Sequence, residues 1–315
     1  MEFISEENKQ EPCFFCNTNT LIPTRRRRKL SFHDCTFTFF RCLSCKGYSL
    51  FPALSDELIQ EMYSSNYLEN MYPKEGLDNK RGLDSKNESF NDQYAHLLQF
   101  LSDINLRGKT FLDFGSGAIS EIYEAVTNQG GSYTGVEYDA SLVLRLKGNF
   151  PNRTYYTVNE LVKSDMTFDF IFCGDVAEHL SFPIKTLNVL REHLRADGKL
   201  IIQGPLEASS SLCHLSVELK SLFLKASPYE FPPYHVSLAK KESIRQMISI
   251  SKFSEEYLKI YEVTWPFRSI SFSIKTNLMQ KMGMLLKLFD KALAFILPSY
   301  GNRFFIVVSK SKFNN

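Results

Sequence analysis

The sequence has no apolar run approaching the roughly 18 residues a membrane-spanning helix needs; Lys or Asp breaks each long stretch. It lacks an excess of charge: 37 Lys and Arg stand against 35 Asp and Glu, a formal +2. That balance is too mild to argue nucleic-acid binding from bulk charge. No secretory leader is visible, because MEFISEENKQ is acidic and polar. An odd count of seven Cys without such a leader also argues against a disulfide framework. These absences lead to the expectation of a cytoplasmic protein with no transmembrane segment. What is present is ordinary globular composition, 43% apolar and 23% charged, over 315 residues. That length suits one large domain or two unequal ones.

Four of the cysteines form two knuckles, Cys13-x-x-Cys16 and Cys42-x-x-Cys45. Two such knuckles supply the four thiolates of a closed, structural tetrahedral Zn²⁺ site. The alternating segment TFTFFRC before the second knuckle reads as a strand, as in a zinc ribbon. His33 and Cys35 lie between the knuckles as substitute ligands, and the competing reading is four reduced, unpaired thiols. The run Arg25–Lys29 is placed in the ribbon's loop, either as a grip on phosphates or as a solvated basic loop. Residues 1–54 are therefore expected to form a zinc-ribbon-like domain. Residues 55–107 read as a helical linker and lid, in which Pro73–Asn91 is a polar loop able to close over a site. Within it, Asp92–Leu106 has helical apolar spacing.

From residue 108 short apolar runs alternate with helical patterns, which implies a parallel sheet covered on both faces. Ligands of such sheets bind beyond the carboxyl ends of the strands. The run Thr110–Phe114 leads straight into Gly115-Ser116-Gly117, and Glu137 ends the next strand 137 − 117 = 20 residues later. Gly-x-Gly with an acid at that distance fits a nucleotide-like ligand whose ribose hydroxyls meet the carboxylate. Asp113, two residues before the first glycine, would repel a pyrophosphate and suit an ammonium or sulfonium group. This disfavours an NAD-dependent oxidoreductase. The competing role for Asp113 is bonding loop amides.

Four segments in order resemble the motifs of class I S-adenosylmethionine-dependent methyltransferases. They are Phe111–Gly117, Gly135–Asp139, Phe168–Leu180 with its Glu178-His179 pair, and Leu190–Ile202. The resemblance covers about Gly108–Pro205, with looser likeness at Tyr234–Ser237 and Gly301–Val308. It implies an α/β, Rossmann-like seven-stranded sheet over 108–315 behind the small ribbon, with helical insertions at about 207–235 and 268–298. A ribbon ahead of such a domain also resembles a bacterial subgroup, several of whose members act on sugar nucleotides or small metabolites. Two departures stand out. Ile119 replaces the family's third glycine, and Tyr234-His235-Val236-Ser237 lacks the paired His and Glu of the Tyr-His-Glu-His run typical of sugar C-methylation.

The resemblance implies roles residue by residue. Asp113 faces the methionine ammonium through water, Gly115 and Gly117 form the floor, and Glu137 takes the ribose hydroxyls. Tyr138 covers the adenine, Asn159 meets its edge, and Asp175 stands with the cofactor-facing residues. For a base, residue type and location favour His179, with Glu178 and Asp175 as alternatives and His235 as a second candidate. Glu178-His179 can equally cap a helix or brace the cofactor loop. Beyond Pro205, Glu207–Lys225 reads as helical, and Pro228–Tyr234 as a rigid aromatic loop that could wall a pocket. The apolar stretch Thr276–Leu297, with Met279, Met282, Leu285, Leu286, Phe289, Leu293 and Ile296, is expected to pack on the domain. Its alternatives are a homodimer face or a membrane surface. The expected activity is transfer of methyl from S-adenosylmethionine to a small acceptor: a sugar, nucleotide sugar or related metabolite. The rivals are an RNA methyltransferase gripping RNA with its basic ribbon, and a non-catalytic module that binds cofactor or partner.

Overall fold

A computed structural model describes residues 11–29, 36–55, 58–59, 88–117, 120–209, 211–212, 215–216, 235–264 and 278–311. The lid loop 73–87, His33, Cys35, Ile119 and the aromatic loop 228–234 lie outside the described residues.

Two sheets organise the chain. The smaller begins with β1 (Leu21–Lys29), β2 (Thr36–Cys42) and β3 (Tyr48–Phe51), paired antiparallel in that order. The larger contains β4 (Thr110–Phe114), β5 (Ser132–Glu137), β6 (Thr154–Thr157), β7 (Phe168–Gly174) and β8 (Leu194–Pro205). A two-residue strand β9 (Ser237–Leu238) then returns to pair with β3 of the small sheet. Finally β10 (Phe253–Tyr261) and β11 (Arg303–Lys310) complete the large sheet, in the order β10-β11-β8-β7-β4-β5-β6. The inner pairs are parallel and β11 runs antiparallel to both β8 and β10. This is the seven-stranded class I methyltransferase arrangement.

The helices are α1 (Glu88–Asp103), α2 (Ser120–Thr127), α3 (Ala140–Asn149), α4 (Val158–Val162), α5 (Pro183–His193), α6 (Lys241–Ile250) and α7 (Leu278–Ile296). The central strands read as continuous apolar runs because both faces are covered. Leu112, Phe114, Ile171, Leu200 and Ile202 enter one buried cluster. Their strand neighbours Phe111, Phe172 and Ile201 enter the other, as period-two alternation requires.

Two expectations are revised. Arg25–Lys29 lies within strand β1, not in a loop, because the segment folds back on β2 with Arg27 opposite Thr38 and Arg28 opposite Phe37. Val158 opens α4 directly after β6. Thr157 caps that helix, its hydroxyl accepting from Glu160 N while the Glu160 carboxylate accepts from Thr157 N. Helix α7 is turned over relative to its apolar stripe. Met284, Lys287 and Asp290 are buried, while Met282, Leu285, Phe289 and Ile296 face outward. Leu286 and Leu293 are half-buried, and the side chain of Met279 lies outside the described set. The inversion has a polar cause. Lys287 pairs with the buried Glu262 carboxylate, and Asp290 accepts from the Tyr300 hydroxyl and from Leu212 N at 2.7 Å. A buried charge without its partner would cost more than the exposure of several methyl groups.

Candidate active site

The chain reverses its strand order between β4 and β7, and the loops following those strands open at that point. Gly115 adopts φ +78° and Gly117 φ +52°, backbone that favours glycine. A Cβ on Gly115 would lie 2.3 Å from Val176 Cγ2, so the turn also needs glycine for close approach to the β7 loop. Gly115 N donates to Val136 O at 2.8 Å, tying this turn to the end of β5. There Glu137 accepts from Gly117 N and, at 3.3 Å, from Tyr138 N. The carboxylate thus closes the glycine loop and keeps further lone pairs for hydroxyl donors.

Asp113 is buried on β4, where Tyr133 donates to it at 2.8 Å. Burial raises its carboxyl to about 7; the Tyr133 bond opposes that shift and the Glu137 charge adds to it. Burial likewise raises Glu137 to about 7, against its two backbone bonds, with Asp139 adding. Two carboxyls lifted by burial in one cleft are prepared to be stabilised by a cation. The Ser116 hydroxyl is buried without a partner on the same loop. Tyr138 is exposed at the rim, and Asn159 is exposed in the first turn of α4.

A second group of residues gathers beyond the ends of β7 and β8. Asp175 takes φ +53° and accepts from Arg303 at 2.5 Å and from the Tyr94 hydroxyl at 3.3 Å. A single 3₁₀ turn (Ala177–His179) then presents Glu178 and His179. His179 Nε2 lies 3.9 Å from Glu178 Oε1, and its ring meets the edge of His235 at a centroid distance of 4.8 Å. His235 Nδ1 bonds Glu207 at 2.7 Å. Ligand atoms of Glu178, His179 and His235 all fall within 4.8 Å of one another, so the group can share a proton or a cation. Burial raises Glu178 to about 8, with Asp175 adding and His235 and Arg303 opposing. Burial works against charge on His235, but the Glu207 bond and the charges of Glu207, Glu178 and Asp175 raise it to about 9.

Both His179 and His235 were singled out by the sequence, and the fold brings them together across 56 residues of chain. Glu207, Tyr133, Tyr94 and Arg303 were missed. Arg303 falls in the loosely similar Gly301–Val308 segment and the other three in none of the motif segments, and each acts on a candidate residue through a contact that only the fold creates. A fixed distance along the chain could not have found them.

The four knuckle cysteines also converge. Cys13 Sγ lies 3.6 Å from Cys45 Sγ and Cys16 Sγ 3.5 Å from Cys42 Sγ. Four sulfurs held about 2.3 Å from a tetrahedral Zn²⁺ would stand about 3.8 Å apart, close to what is found. All four are buried. The bond from Cys45 pulls the Cys13 thiol down to about 5, while the same contact and burial push Cys45 up. Thiolate character is what a metal recruits.

Comparison with known proteins agrees with this geometry. The methyltransferase-domain family matches residues 87–249. No curated protein shows significant similarity to the sequence. Among solved structures, magnesium protoporphyrin IX methyltransferase from Synechocystis, with bound S-adenosylhomocysteine, is 12% identical at TM-score 0.52. The alignment covers 82% of this chain and 100% of that one. The complex between the Haloferax volcanii Trm112 methyltransferase activator and a methyltransferase is 9% identical at TM-score 0.52, covering 82% and 99%. The match over more than half of the chain, on a seven-stranded sheet with this loop at its switch point, makes the protein a member of the S-adenosylmethionine-dependent methyltransferase family.

Proposed function

We propose that the protein methylates a small hydroxylated acceptor, a sugar, nucleotide sugar or related metabolite, at the end of β7. S-adenosylmethionine supplies an electrophilic methyl group on a sulfonium, so the protein must orient two partners and accept a proton. The residues suited to hold it are Asp113 for the ammonium, Gly115 and Gly117 for close backbone approach, and Glu137 for the ribose hydroxyls. Tyr138 and Asn159 stand at the rim for the adenine, and Asp175 borders the methyl-transfer end. Asp113 is buried and Glu137 half-buried, and the raising of each carboxyl toward neutrality supports a cationic ligand in this cleft.

The observation that carries the acceptor reading is the meeting of His235, Glu207, His179 and Glu178 beside Asp175. Glu207 holds the His235 ring through Nδ1 and raises its basicity, so the neutral imidazole able to take an acceptor proton at Nε2 gains population as pH rises toward 9. His179 and Glu178 flank that position. A base of this kind suits an alcohol, whose proton must leave as the methyl arrives.

Calorimetric titration with S-adenosylmethionine tests the cofactor site. Asp113→Ala should weaken binding by at least about tenfold, the loss expected of one charge-assisted contact. Unchanged affinity would remove Asp113 from the site. In an acceptor screen that begins with nucleotide sugars, His235→Ala should lower kcat by about 10²–10⁴, with cofactor affinity preserved. Turnover of RNA alone, with affinity falling steeply in salt, would replace the small-molecule reading.

In the same reading Cys13, Cys16, Cys42 and Cys45 hold a structural Zn²⁺. The donor set is all thiol and closed, which leaves no position for substrate. Metal analysis of the purified protein should give one zinc per chain.

A further inference from the structure

We propose that Glu178, His179 and His235 form a binding site for one divalent transition-metal ion, separate from the four-cysteine group. Their ligand atoms all lie within 4.8 Å of one another. His179 Nε2 stands 3.9 Å from Glu178 Oε1, and the two imidazole rings meet edge to face, 84° apart.

One member of the group is incomplete without an ion. Glu178 is 6% exposed, and its Oε2 is buried with no hydrogen-bond partner. A carboxylate oxygen in that position costs free energy unless a donor or a cation meets it. Arg303 does not fill that role, because it gives its guanidinium to Asp175 at 2.5 Å.

The ligands are themselves held in place. Glu207 bonds His235 Nδ1 at 2.7 Å, which leaves Nε2 as the ligand nitrogen. A carboxylate behind an imidazole fixes the ring and strengthens it as a metal ligand. Val236 N donates to Glu178 O at 2.8 Å, and Ser237 Oγ donates to Ala177 O at 3.3 Å. The segment carrying His235 and the 3₁₀ turn carrying Glu178 and His179 are thus joined on both sides of the group. Glu178 and Glu207 together match the charge of a divalent ion bound by neutral imidazoles.

The donor set selects the kind of ion. Two imidazoles with one carboxylate suit a first-row transition ion, whereas Mg²⁺ and Ca²⁺ take oxygen ligands. Three protein ligands also leave coordination positions open, unlike the closed thiol site. Binding of the ion stands apart from the methyl-transfer reading, and its role in turnover rests on that reading. An acceptor hydroxyl in an open position would give up its proton more readily. The proton leaves to solvent, an oxygen lone pair forms the O–CH₃ bond, and the C–S bond breaks with its electron pair left on sulfur. With the ion in place His235 is a ligand, and acidification of the hydroxyl takes over the task of the free imidazole.

Co²⁺ titration of the full-length protein tests the site. The protein is used with its zinc, after dialysis against a mild chelator, in mildly alkaline buffer where imidazole is neutral. One Co²⁺ per chain should bind with visible absorption and without the near-ultraviolet thiolate charge-transfer band that the cysteines would give. Excess Mg²⁺ should not displace it. Glu178→Gln and His179→Ala should each weaken binding at least about tenfold, and Glu207→Gln by about 10–100-fold. Asp113→Ala should leave it unchanged. In the metal-free state these variants should melt with the parent protein, so that the loss is of the site and not of the fold. Where an acceptor turns over, stripping the ion should lower kcat at least about tenfold, and Co²⁺ should restore it. No stoichiometric binding, or binding that Glu178→Gln, His179→Ala and Glu207→Gln all leave unchanged, overturns the site. Turnover indifferent to the ion overturns its role and leaves proton removal to His235.

Discussion

The seven-stranded sheet buries Phe111, Phe172 and Ile201 on one face and Leu112, Ile171 and Leu200 on the other. The four-stranded sheet has strands as short as two residues, and its apolar wall is Phe37, Phe39, Leu50 and Leu54 with Val236 and Leu238 from the far part of the chain. The large sheet can be held by burial alone. The small one adds four thiols in contact and borrows its last strand. Small sheets lack the core for independent stability, and a metal or a borrowed surface is how chains make up the shortfall. The borrowing also joins the two regions functionally. Leu50 N donates to Val236 O, and Val236 N donates to Glu178 O at 2.8 Å, so His235 is suspended between β3 and the 3₁₀ turn.

The comparison is broken most severely at the thiols. On the proposed zinc site, Cys42→Ser should release the metal and unfold the small sheet, because binding to structural thiolate sites amounts to about 10–16 kcal/mol in zinc-finger peptides. The large sheet should survive. Hydrogen exchange should therefore rise across 36–51 and 235–239 while 110–114 and 168–174 stay protected. Cofactor affinity should hold and kcat should fall, since His235 loses one of its two supports. Equal loss of protection in both sheets would show that they form one cooperative unit.

A smaller perturbation acts at the seam. Gly47 lies where a Cβ would meet Phe15 Cδ2 at 2.7 Å and the Ser243 Cβ on α6 at 2.9 Å. Gly47→Ala should force the small sheet away from α6 at a cost of about 1–3 kcal/mol, as overpacking does. Denaturant unfolding would show it as a lowered midpoint at unchanged slope. A variant as stable as the parent would mean that the seam carries little of the coupling.

The two regions also differed in how far they could be read from residues alone. The knuckles and the Gly115–Gly117 turn are local, since spacing of a few residues determines what their atoms can do. The alternating strands and helices were legible for the same reason. What escaped were long-range pairings. Ser237–Leu238 carries no pattern that assigns it to a sheet beginning at Leu21. Glu207 meets His235 only because the ends of β8 and β9 converge. The inversion of α7 could not be read from its periodicity, which gives the width of an apolar stripe and not the side that Glu262 and Tyr300 claim.

The mildest test separates the sheets by pH. Thiolates must be deprotonated to hold a metal, so the small sheet should loosen in acid. The candidate catalytic edge has the opposite sign. His235, at about 9 in the folded protein against an ordinary 6.5, contributes stability that is complete below about pH 6.5 and lost as pH rises through 9. Glu178, raised to about 8 by burial, adds the same sign, because its charged form is disfavoured in the fold. The side chain of His235 is 33% exposed, so solvent screening reduces its share to about 1–2 kcal/mol. Between pH 6.5 and 9, protection across 175–179 and 235–239 should fall while that across 13–16 and 42–45 holds. Glu207→Gln should flatten the first change and leave the second alone, since it removes the charge that raises His235 without touching a thiol. A profile in which both regions follow a single curve would mean that the shared strand, not the local chemistry of each sheet, governs their stability.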